Sequence, residues 1–150
     1  MGLKKIIFTA GSFDLFHFGH LQILRKAKKL GDILVVGVST DKLIKNHKGL
    51  LPIVPYKERA IIIRELKCVD KVVKQTKLVS ISQFKKLKAD LFVIGDDWKE
   101  RTDNKGINWL RDNNKIAFLP YTKHLSSSKI KEKIIRNSYD IIKSQLRRKK

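Results

Sequence analysis

One cysteine in 150 residues, Cys68, leaves no partner for an intrachain disulfide and excludes a cysteine-based metal site. It precedes Val69 where a helical pattern gives way to a strand pattern, and it reads as a small buried residue. Long apolar runs are missing as well. Residues 33–38 and 61–63 are typical, far short of the roughly 20 residues that span a bilayer, and no signal-peptide pattern opens the chain. The expectation is a soluble, cytoplasmic protein. Internal repeats and low-complexity linkers are absent, and nothing supplies a nucleophilic Cys or Ser triad. Acidic residues are few, 14 against 34 Lys and Arg, for a formal charge of +20. That imbalance suits an anionic partner, whether nucleotide, phosphorylated metabolite, nucleic acid or membrane surface, and does not choose among them. A lysine-rich solvated surface would give the same composition. The closing run Arg147-Arg148-Lys149-Lys150 ends a basic tail at about 143–150, which either meets nucleic acid or acidic lipid or is frayed and solvated.

What is present fits one domain over residues 1–150, with enough apolar residues, 42%, for a real core. Apolar, β-branched runs alternate with segments of helical period, the mark of an α/β domain with a largely parallel sheet. Strands are expected at residues 5–9, 33–39, 71–74, 91–95 and 116–119. Helices are expected at 18–30, 56–67, 81–87, around 107–112, and from 126 onward. In the first, Leu21, Leu24, Ala27 and Leu30 share a face, and Gly31 stands where a left-handed cap is usual. In open sheets of this kind ligands bind beyond the carboxyl ends of the strands, where connections diverge. Those ends carry Gly11-Ser12-Phe13-Asp14, Thr40-Asp41, Gln75-Thr76, Asp96-Asp97-Trp98 and Tyr121-Thr122-Lys123-His124.

The first strand runs into Gly11-Ser12-Phe13-Asp14-Leu15-Phe16-His17-Phe18-Gly19-His20, two histidines three apart around a glycine at a helix entrance. Backbone N–H groups of such a turn and helix start are unpaired and face positive potential outward, which suits phosphate. Imidazole donors aimed at the same point stabilise charge building on a phosphoryl group, by about 3–4 kcal/mol per well-placed donor. A His pair at this spacing is also commonly structural or superficial. As a zinc site it is weak, because the helical metal pair is spaced by four and carries a Glu.

Gly11-Ser12-Phe13-Asp14 followed by His17-Phe18-Gly19-His20 resembles the signature of the H-x-G-H nucleotidylyltransferase superfamily. Asp41, Lys48-Gly49, Glu58-Arg59 and Cys68 to Val73 resemble the phosphocholine and phosphoethanolamine cytidylyltransferases. Gly95-Asp96-Asp97-Trp98 and Ser126-Ser127-Ser128-Lys129-Ile130 resemble the glycerol-3-phosphate cytidylyltransferases of bacteria. Together these blocks span about residues 5–135, and the family's doubly wound, Rossmann-like sheet of five parallel strands matches the alternation.

The resemblance implies roles for particular residues. His17 and His20 would contact the nucleotide phosphates and stabilise the α-phosphoryl transition state, with donors from Ser12 and Phe13 nearby in a turn shaped by Gly11 and Gly19. Lys48 would bring charge to the acceptor phosphate, and Arg59 would chelate phosphate with its planar fork. Ser126, Ser127 and Ser128 would hold the β- and γ-phosphates, or simply cap the last helix. Asp14 would either belong to the nucleotide site or fix the glycine turn without touching ligand. Asp96 and Asp97 after Gly95 would bind ribose or base, with Trp98 as a wall, or cap a turn beside a packed Trp. Mg²⁺ would arrive on the triphosphate, and the family's usual homodimer is carried over.

Two positions depart from the pattern: Tyr121 and His124 stand where the cytidylyltransferases have Arg and Gly, and Lys123 is only a point charge beside them. The resemblance therefore implies CMP transfer from CTP to a small alcohol or polyol phosphate, foremost glycerol-3-phosphate, with direct in-line attack and pyrophosphate release. Two rivals stand beside it. One is an adenylyltransferase acting on a sugar phosphate or flavin nucleotide; the other is a basic nucleic-acid-binding domain that has lost the chemistry.

Overall fold

A computed structural model describes residues 2–120, 122 and 125–148, with side chains as far as residue 145. Tyr121, Lys123, His124, Lys149 and Lys150 lie outside the described residues, so the two departures from the family pattern do too.

β-Branched runs form five strands: β1 (Ile6–Gly11), β2 (Ile33–Ser39), β3 (Lys71–Gln75), β4 (Leu91–Gly95) and β5 (Ile116–Leu119). They pair in the order β3-β2-β1-β4-β5, all parallel. The chain winds outward from β1 to one edge, then crosses to start again at β4, so β1 and β4 flank the point where connections diverge. Among the described residues six α-helices cover the sheet: α1 (Phe18–Lys28), α2 (Asp41–Lys48), α3 (Tyr56–Arg64), α4 (Ile81–Lys86), α5 (Lys105–Asp112) and α6 (Ser127–Arg148).

Alternation along the strands divides the core into two layers. Ile7, Val36 and Val93 join Leu24 and Ala27 of α1 and Ile63 of α3 on one face. Phe8, Val35 and Phe92 join Phe84 of α4 and Ile107 and Leu110 of α5 on the other, where the Phe8 and Phe92 rings meet edge to face at 5.3 Å. Asp70, within the Cys68 to Val73 block, is structural: its Oδ2 accepts from Leu34 N and from Lys28 Nζ, both at 2.6 Å, tying the start of β3 to β2 and α1.

Two expectations need correction. α1 ends at Lys28, and Gly31 is not in the left-handed region; a side chain there would place Cβ 2.7 Å from Ile7 Cγ1 and 2.8 Å from Lys5 O. Gly31 is needed for close approach to β1, not for a cap. Helix α2 is additional, capped by the Thr40 hydroxyl accepting from Leu43 N and closed by Gly49 at φ 77°. Helix α6, expected from residue 126 onward, runs as far as Arg148 and takes in the first part of the basic segment.

Candidate active site

The loop from β1 to α1 is pulled taut. Phe13 and Leu15 hold φ of 51° and 48°, a conformation that L residues keep only when the surroundings impose it. The surroundings do so from three directions. The Ser12 carbonyl accepts from Arg59 Nη1, and the Asp14 carbonyl accepts from the Ser127 hydroxyl at 2.5 Å. The Asp14 carboxylate accepts from Ile53 N at 3.1 Å and Val54 N at 2.9 Å and pairs with Lys131 Nζ at 2.8 Å. Burial raises the Asp14 carboxyl, but Lys131 and the two amides outweigh it and hold the group below its ordinary value.

This loop delivers the two histidines. His17 is the N-cap of α1, and its Nδ1 accepts from Gly19 N at 3.1 Å. Nδ1 is thereby committed as an acceptor, so the neutral ring carries its proton on Nε2. Gly19 makes that fold-back fit: a Cβ on it would lie 2.9 Å from His17 Cε1. His20, one turn on, stacks on His17 with ring centroids 3.8 Å apart and planes 22° apart. Phe16 stacks on His20 at 5.5 Å, and Phe13 meets it edge-on at 5.4 Å. Burial, with the charges of His17 and Lys48, pushes His20 from 6.5 down to about 3, and burial lowers His17 too. Both rings are therefore neutral near pH 7. His17 Nε2 and His20 Nδ1 are buried without a hydrogen-bond partner among the described residues. Buried polar atoms are nearly always paired, so two orphans on residues that line one cavity make that cavity the candidate binding site.

The cavity lies over the carboxyl ends of the strands and opens around these rings. Gly11, Ser12, Phe13, His17, Gly19 and His20 line it from β1 and α1. Lys48 reaches it from the last position of α2; Gly95, Asp97 and Trp98 reach it from the end of β4 and the 3-10 turn that follows. Burial, with Asp96 beside it, raises the Asp97 carboxyl. The Arg101 guanidinium lies 4.3 Å from the Trp98 ring centroid, and the His47 ring, itself part of the wall, stacks with Trp98 at 6.4 Å.

Six residues expected to contact ligand do not line the cavity. Arg59 is 1% exposed and does not line the cavity. Its guanidinium donates to Val54 O at 2.8 Å, to Ser12 O, and to Asp41 Oδ1 at 2.6 Å, so each of its three nitrogens is engaged within the protein. It holds the loop that presents the histidines. Asp14 acts in the same way from the other side of the loop, and what it fixes is the chain at Ile53 and Val54. The serines flank the cavity without lining it. Ser126 is an N-cap accepting from Lys129 N at 3.2 Å, Ser127 is bonded to the β1–α1 loop, and Ser128 is exposed. Asp96 is exposed and is not part of the cavity wall.

The sequence reading gave no role to Thr9, Ser39 or Gln75, buried polar side chains on the cavity floor. For Thr9 and Ser39 the signal was a hydroxyl residue near the carboxyl end of an otherwise apolar strand; Gln75, in a strand that also carries Lys71 and Lys74, gave none. Among the described residues no three His, Cys, Asp or Glu side chains gather to hold a metal ion.

Comparison with known proteins agrees with this geometry. The family model described as Cytidylyltransferase-like matches residues 8–134. The glycerol-3-phosphate cytidylyltransferase of Bacillus subtilis is 38% identical over 135 residues, 88% of this chain and 98% of that protein. The bifunctional protein HldE of Helicobacter pylori is 40% identical over 138 residues, 91% of this chain but only 29% of that protein. Among solved structures, a lipopolysaccharide core biosynthesis protein from Thermoplasma volcanium is 27% identical, with a TM-score of 0.67 over 80% of this chain and 99% of that one.

Proposed function

The chain belongs to the cytidylyltransferase-like family, and from that premise we propose that it transfers CMP from CTP to glycerol-3-phosphate, releasing pyrophosphate. The observation that carries this reading is the stacked pair of neutral, buried imidazoles at the start of α1, with His17 Nε2 and His20 Nδ1 unpartnered in the cavity. The relatives named glycerol-3-phosphate cytidylyltransferase, matched along nearly their whole length, support the choice of nucleotide and acceptor.

The α-phosphate of CTP lies against the first turn of α1, where free N–H groups and the helix dipole attract it. A phosphate oxygen of the acceptor attacks the α-phosphorus in line, the bond to the bridging oxygen breaks, and pyrophosphate leaves with the bonding pair. The acceptor is already an anion, so no strong base is needed; placement and charge stabilisation carry the rate. His17 Nε2–H donates to the oxygens on which negative charge grows, its ring already fixed by the bond from Gly19 N. His20, pressed against it, supplies a second imidazole to the same place, and Lys48 draws in the acceptor phosphate. Mg²⁺ enters as the counterion of the triphosphate, since the described residues offer no cage of their own.

The assembly we assign is a homodimer in the cytoplasm. The exposed Leu50, Leu51, Ile53 and Ile61 supply apolar surface for a second copy, and no helix among the described residues is long and apolar enough to cross a membrane. Pyrophosphate release, followed with each nucleoside triphosphate against glycerol-3-phosphate, phosphoethanolamine, phosphocholine and sugar phosphates, tests the reading. CTP with glycerol-3-phosphate is the expected pair. Turnover with ATP and none with CTP would replace it by the adenylyltransferase reading.

A further inference from the structure

Three polar residues unused by that mechanism lie on the cavity floor. Thr9, Ser39 and Gln75 are 3%, 5% and 4% exposed, and they come from the carboxyl-terminal parts of β1, β2 and β3. A polar group hidden among apolar neighbours costs free energy unless something pairs with it. Ser39 and Gln75 face each other across the parallel register, and the Ser39 hydroxyl donates to Gln75 Oε1 at 2.6 Å. That bond turns the carboxamide. With its oxygen committed to Ser39, the Gln75 amide nitrogen keeps its donors, and no protein group among the described residues accepts them.

The walls decide what those donors meet. α2 overhangs this side of β1 with Leu43, Ile44 and Lys48, and Leu78 and Val79 follow β3. No carboxylate pairs with Lys48 among the described residues, so its ammonium is available to a phosphate. Behind it the lobe offers neutral hydrogen-bonding groups and apolar surface. The carboxylate among the described lining residues, Asp97, comes from the opposite side of β1, after β4. The lobe over β2 and β3 thus has an attachment for a phosphate and for hydroxyls, and no anion to neutralise an ammonium group.

We propose that Ser39 and Gln75 read the acceptor: Lys48 takes its phosphate, and Gln75 Nε2 donates to a free hydroxyl on its carbon chain, so that polyol phosphates are selected over amino-alcohol phosphates. This inference rests on the transfer reaction proposed above and specifies which feature of the acceptor is recognised. A site built around a hydroxyl discriminates strongly, because an acceptor lacking that group leaves the buried amide unpaired. Ser39 acts as a positioning residue, fixing which end of the carboxamide faces the lobe.

The test is steady-state kinetics of Gln75→Ala, Gln75→Glu and Ser39→Ala with CTP and Mg²⁺, against glycerol-3-phosphate and phosphoethanolamine, with thermal unfolding as a check on the fold. Gln75→Ala is expected to raise the KM for glycerol-3-phosphate about tenfold and leave the KM for CTP within about twofold. Gln75→Glu, nearly isosteric and therefore informative even if the alanine variant folds poorly, is expected to do the same and to shift preference towards phosphoethanolamine. Ser39→Ala is expected to raise the acceptor KM by a smaller factor. An unchanged acceptor KM in the folded Gln75 variants, or an equal rise in the KM for CTP, would overturn the inference while leaving the transfer reaction standing. Absence of wild-type turnover with every acceptor would remove the transfer reaction, and this inference with it.

Discussion

Arg59 Nη2 lies 2.6 Å from Asp41 Oδ1, and the same guanidinium reaches Val54 O and Ser12 O. One buried side chain thus joins the loop that presents His17 and His20 to the start of α2, whose far end carries Lys48. The electrostatics of the site depend on Lys48, but its geometry depends on Arg59.

Arg59→Lys is therefore expected to unfold more easily as well as to turn over slowly, because an ammonium cannot serve three acceptors in different directions. The loss is about 2–4 kcal/mol, towards the lower figure because the Asp41 side chain is 37% exposed and water takes over part of its solvation. Thermal unfolding reads this as a fall of several degrees, about 5–12 °C. Lys48→Ala, an exposed change, is expected to leave the unfolding temperature alone and to slow the reaction. Equal stability of the two variants would contradict the division of roles.

The sheet was legible because its strands are β-branched runs bounded by Gly, Pro and Asp. The bounds 33–39, 91–95 and 116–119 coincide with β2, β4 and β5. Helix α2 was not, although Thr40 and Gly49 signal its two ends, because Leu43 and Ile44 are its only apolar residues and no helical period shows through. The histidine motif was legible as a turn at a helix entrance, and the structure places His17, Gly19 and His20 on the cavity wall there. The role given to Arg59 came from the resemblance of Glu58-Arg59 to the family pattern, and only the fold reveals that its guanidinium is bonded to the carbonyl of Ser12, 47 positions away. The same holds for Gly31, whose neighbours Lys5 and Ile7 lie at the start of β1, and for the Ser39–Gln75 pair, which exists only once β2 and β3 are in register.

Gly19→Ala places a methyl group against the His17 ring, 2.9 Å from Cε1, and the ring must move to admit it. Displacement of a reacting-site donor by about 1 Å costs about a hundredfold in rate, so kcat is expected to fall by that order. The variant is expected to stay folded, because Gly19 lies at the helix start and not in the core. Rates within about threefold of wild type would show that the bond from Gly19 N to His17 Nδ1 does not set the catalytic geometry.

The neutral histidines give stability a definite pH dependence. In the unfolded chain both take up protons near pH 6.5; in the folded chain burial keeps both below that, His20 at about 3. Between about pH 6.5 and pH 4 the unfolded state binds more protons, so stability falls as the pH falls. At the acid end Asp14 acts in the same direction, because its depressed carboxyl loses its stabilising contacts on protonation. Urea midpoints at pH 7.5 and pH 5 are expected to differ, and to differ less in His20→Gln. Identical pH dependence in the two proteins would contradict a buried, neutral His20.

The most direct measurement follows the α-phosphorus itself. Purified protein is incubated with Mg²⁺, glycerol-3-phosphate and CTP labelled at the α-phosphate, and the products are separated. The label is expected in CDP-glycerol, with unlabelled pyrophosphate formed in equal amount, and the rate is expected to fall at least about a hundredfold in a folded His20→Ala variant. Label that stays in CTP, appears only in CMP, or moves to CDP-glycerol at the same rate without His20 would contradict the account.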